Sequence, residues 1–294
     1  MAFDIHGETD MSEYQTKEGL NVPGFASWNE FRSYWANGRA SNTIFRGQRH
    51  PDWKLQSLWE REIEPISEYI EPGKRIEGLF ADDSYQRNRD RRLTHFKDRA
   101  RRFLKKESDL QSDDDWWAFG RHHGLVSPLL DWTRNPLVAA FFALVDFAQW
   151  VTEGDPTSEK RDEREREVPH VTVWALDLSK RPFQKGEFEF VDRQPGFEKR
   201  QEAQAGVFTR LSDGIHFDVQ SYLSCRGRLD ALYRCHIPIG VEASKALREL
   251  HQEKVHHAIL FPDFWGAAMY ANTRHLVRTE TTFEMIDGSS TKPD

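Results

Sequence analysis

The sequence predicts an α+β fold, with a helical N-terminal half packed on a mostly antiparallel sheet. Helix patterns concentrate in the first half of the chain and strand patterns in the second, without the strict alternation of βαβ units. At 294 residues, with 38% hydrophobic residues, 10 Trp and 20 Phe, the chain can bury a large core. A chain this rich in aromatic residues does not have the composition of a disordered protein.

Four helices are predicted in the first half of the chain. The first begins after the N-cap Ser27, and the second spans residues 87–106, where apolar side chains recur at helical spacing. The third spans residues 116–123. The fourth, residues 135–150, is almost entirely apolar, which predicts burial on most of its sides.

Strands are predicted where short runs of β-branched and aromatic residues are bounded by turn residues. They are residues 43–46, 170–176, 206–209, 232–237 and 281–285. Two further helices are predicted among them, at residues 243–251 and 263–272.

Shifts in composition predict the domain organisation. Residues 1–25 are polar and are expected to form a flexible arm, and residues 287–294 a disordered tail. Residues 26–286 are expected to form one domain. Within it, residues 152–169 are densely charged and lack an apolar stripe, so they predict an exposed insertion, either a loop or a solvated helix.

Composition also excludes several classes of protein. No apolar stretch reaches the ~18 residues of a membrane helix, and the N-terminus lacks the pattern of a secretory signal. The 2 Cys give no disulfide framework, and the adjacent His122 and His123 diverge, so no metal site is expected. A net charge of −7 argues against a general nucleic-acid binder. We expect a cytoplasmic protein without membrane contact.

Arg46 is the first candidate functional residue. It ends a predicted buried strand, and Gly47 beside it allows another backbone to approach closely. An arginine in this place presents a rigid fork to a phosphate or a carboxylate. The alternative is a structural arginine paired with an internal acid.

A second group of polar residues precedes the fourth helix. His122 and His123 lie within twelve residues of Asp131, Trp132 and Thr133. A helix N-terminus flanked by His, Asp and Thr would form a polar pocket suited to an anion. The alternative is that Asp131 and Thr133 cap the helix while Trp132 belongs to the core.

The predicted helix over residues 87–106 is strongly basic, with ten Lys or Arg against two Asp. Such a helix is suited to a polyanion, whose phosphates would contact Arg91, Arg92, Arg99 and Arg102. The alternative is a solvated face above an amphipathic core contact.

An ordered set of motifs resembles the FRG domain family and runs from about Thr43 to His275. The motifs are residues 45–48, residues 121–125, residues 129–136 with Ala139, Ala140, Phe141 and Phe142, residues 204–208 and residues 260–263. The family occurs widely in bacteria and phage, which agrees with a cytoplasmic protein.

This layout is in turn similar to that of the arginine-serine-glutamate ADP-ribosyltransferases, which implies their fold and NAD as substrate. Arg46 resembles their arginine on an early strand. Residues 131–133 resemble their strand before an apolar helix, although Asp and Trp here replace small hydroxyl residues. Gln204 stands where the catalytic Glu is expected, and Glu202 is the nearest carboxylate.

The resemblance implies that five residues bind NAD. Arg46 would bind the pyrophosphate or the nicotinamide ribose, beside the close backbone approach at Gly47. Phe45 or Trp132 would stack near a ring of the substrate, and Thr133 would orient the nicotinamide.

The resemblance also implies a catalytic group. Cleavage of the glycosidic bond passes through an oxocarbenium-like centre, which needs a nearby carboxylate or an acceptor for a ribose hydroxyl. Asp131, Glu202 or Gln204 would supply it. His123 would act as a base toward the acceptor, because imidazole titrates near neutrality.

The sequence therefore predicts an NAD-dependent ADP-ribosyltransferase-like enzyme that modifies a macromolecule, either a protein or a nucleic acid. Such an enzyme would act as a bacterial toxin, with a neutralising partner, or in antiphage defence. The alternative is a non-catalytic nucleotide- or nucleic-acid-binding module, which Gln204 and the basic helix favour.

Overall fold

One mixed sheet forms the centre of the molecule. The computed structural model describes residues 13–17, 19–36, 38–62, 84–104, 110–153, 158–192, 199–212, 218–238 and 241–277. The strands are β1 Glu13–Gln15, β2 Asn21–Pro23, β3 Thr43–Gln48, β4 Leu129–Thr133, β5 His170–Asp177, β6 Phe188–Val191, β7 Gly206–Leu211 and β8 Leu232–Pro238. Their order in the sheet is β1-β2-β8-β5-β3-β4-β7-β6. Neighbours are antiparallel except for β2 and β8, which are parallel.

Helices cover the sheet and fill its connections. They are α1 Trp28–Ala36, α2 Ser84–Ala100, α3 Asp113–His122, α4 Pro136–Thr152, α5 Ser158–Glu167, α6 Lys199–Ala203, α7 Val219–Cys225, α8 Val241–Gln252, α9 His257–Leu260 and α10 Phe264–Thr273. The α+β class and the mostly antiparallel sheet are confirmed. Helices and strands are less separated along the chain than predicted, since β1 to β4 precede residue 134 and five helices follow residue 198.

The predicted segments outside the main elements have different outcomes. Residues 1–25 were expected to be a flexible arm, yet β1 and β2 lie within them and pair with each other. The charged insertion contains the helix α5, which is the solvated-helix alternative. The predicted strand at residues 281–285 and the tail at residues 287–294 lie outside the described residues.

The apolar helix α4 packs directly on β3. A Cβ added at Gly47 would lie 1.8 Å from the carbonyl oxygen of Ala139, so only glycine allows this helix and strand to approach so closely. On this face α4 shares a core with α1, α8 and one side of the sheet. The burial predicted for α4 is confirmed, and the close approach at Gly47 is made by the protein's own backbone.

The cap of α4 differs from the prediction. Asn135 is the N-cap, and its side-chain oxygen accepts a hydrogen bond from the Leu137 amide at 2.9 Å. Asp131 and Thr133, which were expected to cap this helix, lie on β4 before it. The Thr133 hydroxyl still accepts a hydrogen bond from the amide of the N-cap residue Asn135 at 3.0 Å, while the Asp131 carboxylate accepts from Arg121.

The described helices include none that is both long enough and apolar enough to cross a bilayer.

Candidate functional site

Arg46 and Asp131 contact each other where the neighbouring strands β3 and β4 diverge. Strands β3 and β4 share one register pair, Phe45 with Thr133, whereas β3 and β5 share six. Beyond that pair the Arg46 side chain spans the gap, and its Nη1 donates to the main-chain carbonyl of Asp131 at 2.9 Å. The same nitrogen lies 3.7 Å from Asp131 Oδ2. One guanidinium thus contacts both the backbone and the carboxylate of Asp131.

Helix α3 brings a second arginine to the same carboxylate. Its N-terminus is fixed by Ser112 and Asp115, which form a capping box, and Arg121 lies in its last turn. Arg121 Nε donates to Asp131 Oδ1 at 2.5 Å, and Arg121 Nη2 donates to Asp131 Oδ2. This two-point contact fixes the plane of the carboxylate.

The arginines around Asp131 repel one another. Burial lowers the pKa of Arg46 to about 10, against the attraction of Asp131, and Arg121 and Arg61 lower it further. Burial, followed by Arg121, also lowers the pKa of Arg61. Burial alone would raise the pKa of Asp131, but Arg121 and Arg46 outweigh it and hold that pKa below its usual value. Asp131 is therefore ionised at neutral pH.

This cluster, defined as Arg46, Arg61, Arg121 and Asp131, has more positive than negative charge. Three guanidiniums face the Asp131 carboxylate, and counting Glu60, which attracts Arg61, the formal charge is +1. The Asp131 side chain is 40% exposed, against 18% for Arg46 and 17% for Arg121. Among the described residues, Arg46 Nε and Arg121 Nη1 are buried without a hydrogen-bond partner. The cluster is suited to an anion.

The cluster opens into a cavity of about 430 Å³. Arg46, Arg121, His122 and Asp131 line its polar side. The other walls are largely apolar, and their residues are Phe45, Gly47, Leu58, Trp132, Thr133, Ala139, Phe142, Arg200, Gln204 and Phe261. Asp131 is the one carboxylate among the described residues that line it. The cavity therefore joins a basic region to an aromatic one.

Helix α6 and the chain before α10 close the aromatic side. The Arg200 guanidinium lies over the rings of Phe261 and Trp265, at 5.4 and 5.5 Å, and pairs with Asp263. Gln204 Nε2 donates to the carbonyl of Leu260 at 3.0 Å. Two distant parts of the sequence are thereby joined at the rim of the cavity.

Three predicted NAD-binding residues line the cavity but also have structural roles. Phe45 is fully buried and packs edge-on against Trp35. Trp132 is buried in the core, and its Nε1 donates to Thr209 Oγ1 at 2.9 Å. Gly47 is required by the packing of α4. The core alternative for Trp132 thus describes its position better than exposed stacking.

The Thr133 hydroxyl also lines the cavity and is engaged within the protein. It donates to the carbonyl of Gln204 at 2.6 Å and accepts from the amide of Asn135 at 3.0 Å. These contacts tie the end of β4 to the segment after α6 and to the start of α4. Thr133 positions the wall of the cavity.

The four predicted catalytic residues separate into two groups. Asp131 and Gln204 line the cavity, while Glu202 and His123 are exposed and do not. The His123 ring instead packs against Phe119, with centroids 4.6 Å apart. The adjacent histidine, His122, lines the cavity and His123 does not.

The four arginines of the basic helix that were predicted to contact phosphates differ in exposure and pairing. Arg92 pairs with both oxygens of Glu62, at 2.9 and 2.5 Å, and lies over the ring of Trp59. Arg91, Arg99 and Arg102 are exposed. Arg92 therefore has a structural role, and the other three stay candidates.

Sequence reasoning missed several residues of the cavity. His122 was predicted to line a polar pocket and does so. Arg121 belongs to a motif that was recognised, but nothing in it indicated that Arg121 binds Asp131. Arg200 carries no local signal, and neither does Arg61, which lies beside the cavity lining. Phe261 belongs to the motif at residues 260–263, but nothing in that motif indicated that it lines the cavity. No cluster of three or more His, Cys, Asp or Glu suited to a metal occurs among the described residues.

Residues 41–149 match the family model of the FRG domain. The matched segment includes Arg46, Arg121 and Asp131, while Arg200, Gln204 and Phe261 lie after it. No curated protein and no solved structure matches the chain.

Proposed function

We propose that this protein, which contains an FRG domain over residues 41–149, binds NAD in the cavity and transfers its ADP-ribose to a macromolecule. One observation carries the proposal: Arg46 and Arg121 converge on the ionised Asp131 inside a cavity of about 430 Å³. Ligand cavities are typically about 300 to 1,000 Å³.

The charges of the cavity fit a dinucleotide with a pyrophosphate. Arg46, Arg61 and Arg121 outnumber the two carboxylates that attract them, Asp131 and, at Arg61, Glu60, which leaves a formal charge of +1 to be neutralised. The two phosphates of NAD carry two negative charges, and guanidiniums bind phosphate oxygens through paired N–H groups. We assign the pyrophosphate to Arg46 and Arg121.

The apolar part of the cavity fits a planar ring. Phe142 and Phe261 meet edge to face, with centroids 6.0 Å apart, and Leu58 and Ala139 lie on the same lining. A ligand with an anionic group and an aromatic ring would contact both regions at once. This combination favours a nucleotide over an inorganic anion or a simple hydrocarbon.

Asp131 is the residue to which we assign the chemistry. In the proposed reaction the bond between the ribose C1′ and the nicotinamide nitrogen breaks, and nicotinamide leaves with the electron pair. An ionised carboxylate stabilises the positive charge that develops at C1′. An acceptor atom then bonds to C1′ and releases its proton to water or to a base. Acting on a host macromolecule in this way would suit a toxin or an antiphage protein.

A non-catalytic nucleotide-binding pocket is the second candidate. Arg121 occupies both oxygens of Asp131, and Gln204 rather than a carboxylate lies on the opposite lining. Both features favour a pocket that binds without reacting. The two candidates predict equal binding of NAD and differ in the release of nicotinamide.

The test is nicotinamide release by wild type and Asp131→Asn with NAD and cell extract. We expect at least about a 100-fold slower release in the variant, the usual loss for a group that stabilises charge in the transition state. NAD binding should persist, because the variant removes negative charge from the cluster. Arg134→Gln, which breaks the exposed pair with Asp192, is the matched control. Binding without release in the wild type would favour the second candidate.

A further inference from the structure

Five arginines of α2 and of the 3-10 turn Arg101–Phe103 after it form an inner and an outer set. The inner ones are held by the protein: Arg89 donates to Ser212 Oγ, and Arg92 pairs with Glu62. The outer ones, Arg91, Arg99 and Arg102, form what we call the outer arginine stripe. All three are exposed, and none pairs with a residue in the described part of the chain.

The outer arginine stripe runs along one half of the helix surface. Arg91 and Arg99 are eight residues apart, which places them about 12 Å apart along α2 and about 80° apart around it. Arg102 follows in the 3-10 turn Arg101–Phe103. The stripe spans about 18 Å from the rise per residue of the two helix types.

The acidic residues of α2 do not neutralise the stripe. Asp98 pairs with Arg101 at 3.8 Å, and Asp90 pairs with Arg89 at 3.7 Å. The stripe therefore keeps three positive charges on a chain whose net charge is −7. Such a local concentration of charge attracts a polyanion.

An aromatic side chain ends the stripe. Phe103 follows Arg102 directly and is 85% exposed, more than nearly every other large apolar residue described. Exposed aromatic rings beside cations are the surface on which single-stranded nucleic acids bind, with the phosphates on the cations and a base on the ring. Phosphatidylserine vesicles, whose anionic headgroups and apolar interior would contact the same side chains, are the competing ligand in the test below.

We propose that the outer arginine stripe and Phe103 bind single-stranded nucleic acid. This inference is independent of NAD binding in the cavity. Helix α2 packs beside α3 through Phe96, whose ring meets those of Trp116 and Phe119, and α3 carries Arg121 to the cavity. A bound strand would therefore lie on the helix next to the one that lines the proposed NAD site.

The test is fluorescence anisotropy with a labelled 20-nucleotide oligo(dT) across a salt series. The stripe variant is Arg91→Gln, Arg99→Gln and Arg102→Gln in one chain, which we expect to bind at least about tenfold more weakly at low salt. The magnitude of the slope of log affinity against log salt should decrease by about 2, because each of the three lost phosphate contacts contributes ~0.7. Phe103→Ala should weaken binding about fivefold or more with an unchanged slope.

The control variant carries the same loss of charge elsewhere. Arg166, Lys185 and Lys254 are exposed residues outside α2 and the cavity, and changing all three to Gln should leave affinity within about twofold. No binding by wild type, equal losses in both triple variants, or binding only to phosphatidylserine vesicles would overturn the inference. Nicotinamide release with NAD should be unchanged in the stripe variant, which separates this inference from the proposed function.

Discussion

Two ionic clusters shift the pKa of an aspartate in opposite directions. Burial raises the pKa of Asp114, since Arg210 only partly offsets it and Glu189 adds repulsion. At Asp131 burial also favours a higher pKa, but the attraction of the surrounding arginines is larger than the effect of burial, so the pKa of Asp131 is lowered. The first cluster shares its cations between two carboxylates, and the second concentrates them on one.

The two clusters differ in net charge and in whether they border the cavity. Arg210 pairs with Asp114 and Glu189, and Arg89 also attracts both carboxylates, so two cations face two anions. At Asp131 three cations face this carboxylate and Glu60, which attracts Arg61, so one net positive charge remains beside the cavity. Arg210 also has a buried Nε without a partner, so that feature alone does not distinguish the two clusters. Excess charge at a cavity is what indicates a ligand.

The largest expected effect concerns the backbone that places Arg46. In Gly47→Ala the new Cβ would lie 1.8 Å from the Ala139 carbonyl oxygen, so β3 and α4 must move apart. We expect a loss of about 3 kcal/mol in the free energy of unfolding, measured by urea denaturation. Gly24→Ala is the control, because its Cβ meets nothing within 4 Å. Equal stability of both variants would contradict the packing described for Gly47.

The ionic cluster of Arg210, Asp114 and Glu189 should contribute to the free energy of unfolding. Arg210→Gln leaves Asp114 and Glu189 close together with less positive charge between them. We expect the free energy of unfolding to fall by about 1 to 2 kcal/mol, less than for a fully buried pair because all three side chains are partly exposed. Urea denaturation at low and high salt measures it. A variant as stable as wild type would show that this cluster contributes nothing to folding.

Acid should weaken the fold while leaving the Asp131 cluster charged. Burial lowers the pKa values of His236 and His257 to about 4. Between pH 6.5 and 4 the unfolded chain binds protons that the folded chain does not, so stability falls as the pH falls. We expect a loss of about 1 kcal/mol per histidine from pH 7 to 5.

Denaturation at the two pH values measures this loss, and His236→Gln should reduce it. Arg46, with a pKa of about 10, and Asp131, with a lowered pKa, keep their charges throughout this range. A stability that is equal at pH 7 and pH 5 would contradict the effect assigned to the two histidines.

The smallest effect is expected at two residues that the sequence favoured as catalytic. Glu202 and His123 are exposed and lie off the cavity lining. Glu202→Gln and His123→Gln should each change nicotinamide release by less than about twofold, as surface substitutions usually do. A large loss in either variant would place the chemistry outside the cavity.

The sequence predicted the parts of the fold that carry strong local patterns. The apolar run of α4 and the strands β3 and β5 were found because burial and β-branching are visible in a short window. The three-residue strands β1 and β2 were missed, since their pairing depends on β8 far along the chain. The cap of α4 was misassigned because Asp131, Thr133 and Asn135 all have capping side chains.

The candidate site was predictable to a similar extent. Arg46 and Asp131 were both singled out, and the structure joins them across the gap between β3 and β4. The role of Arg121 was not predictable, because a helix turn and a strand must first be packed together. Arg200 and Phe261 come from still more distant segments. No motif marks Arg200, and the motif that contains Phe261 did not indicate its place in the cavity.

The most direct test of the account is calorimetric titration of NAD into wild type, Arg46→Gln and Arg210→Gln. Each variant removes one partly buried guanidinium, but only Arg46 lines the cavity. We predict that Arg46→Gln weakens NAD binding about 30-fold, which equals the ~2 kcal/mol of a charge-assisted hydrogen bond. Arg210→Gln should bind within about twofold of wild type. Equal affinity of both variants, or no binding by wild type, would contradict the claim that the Asp131 cluster is a nucleotide site.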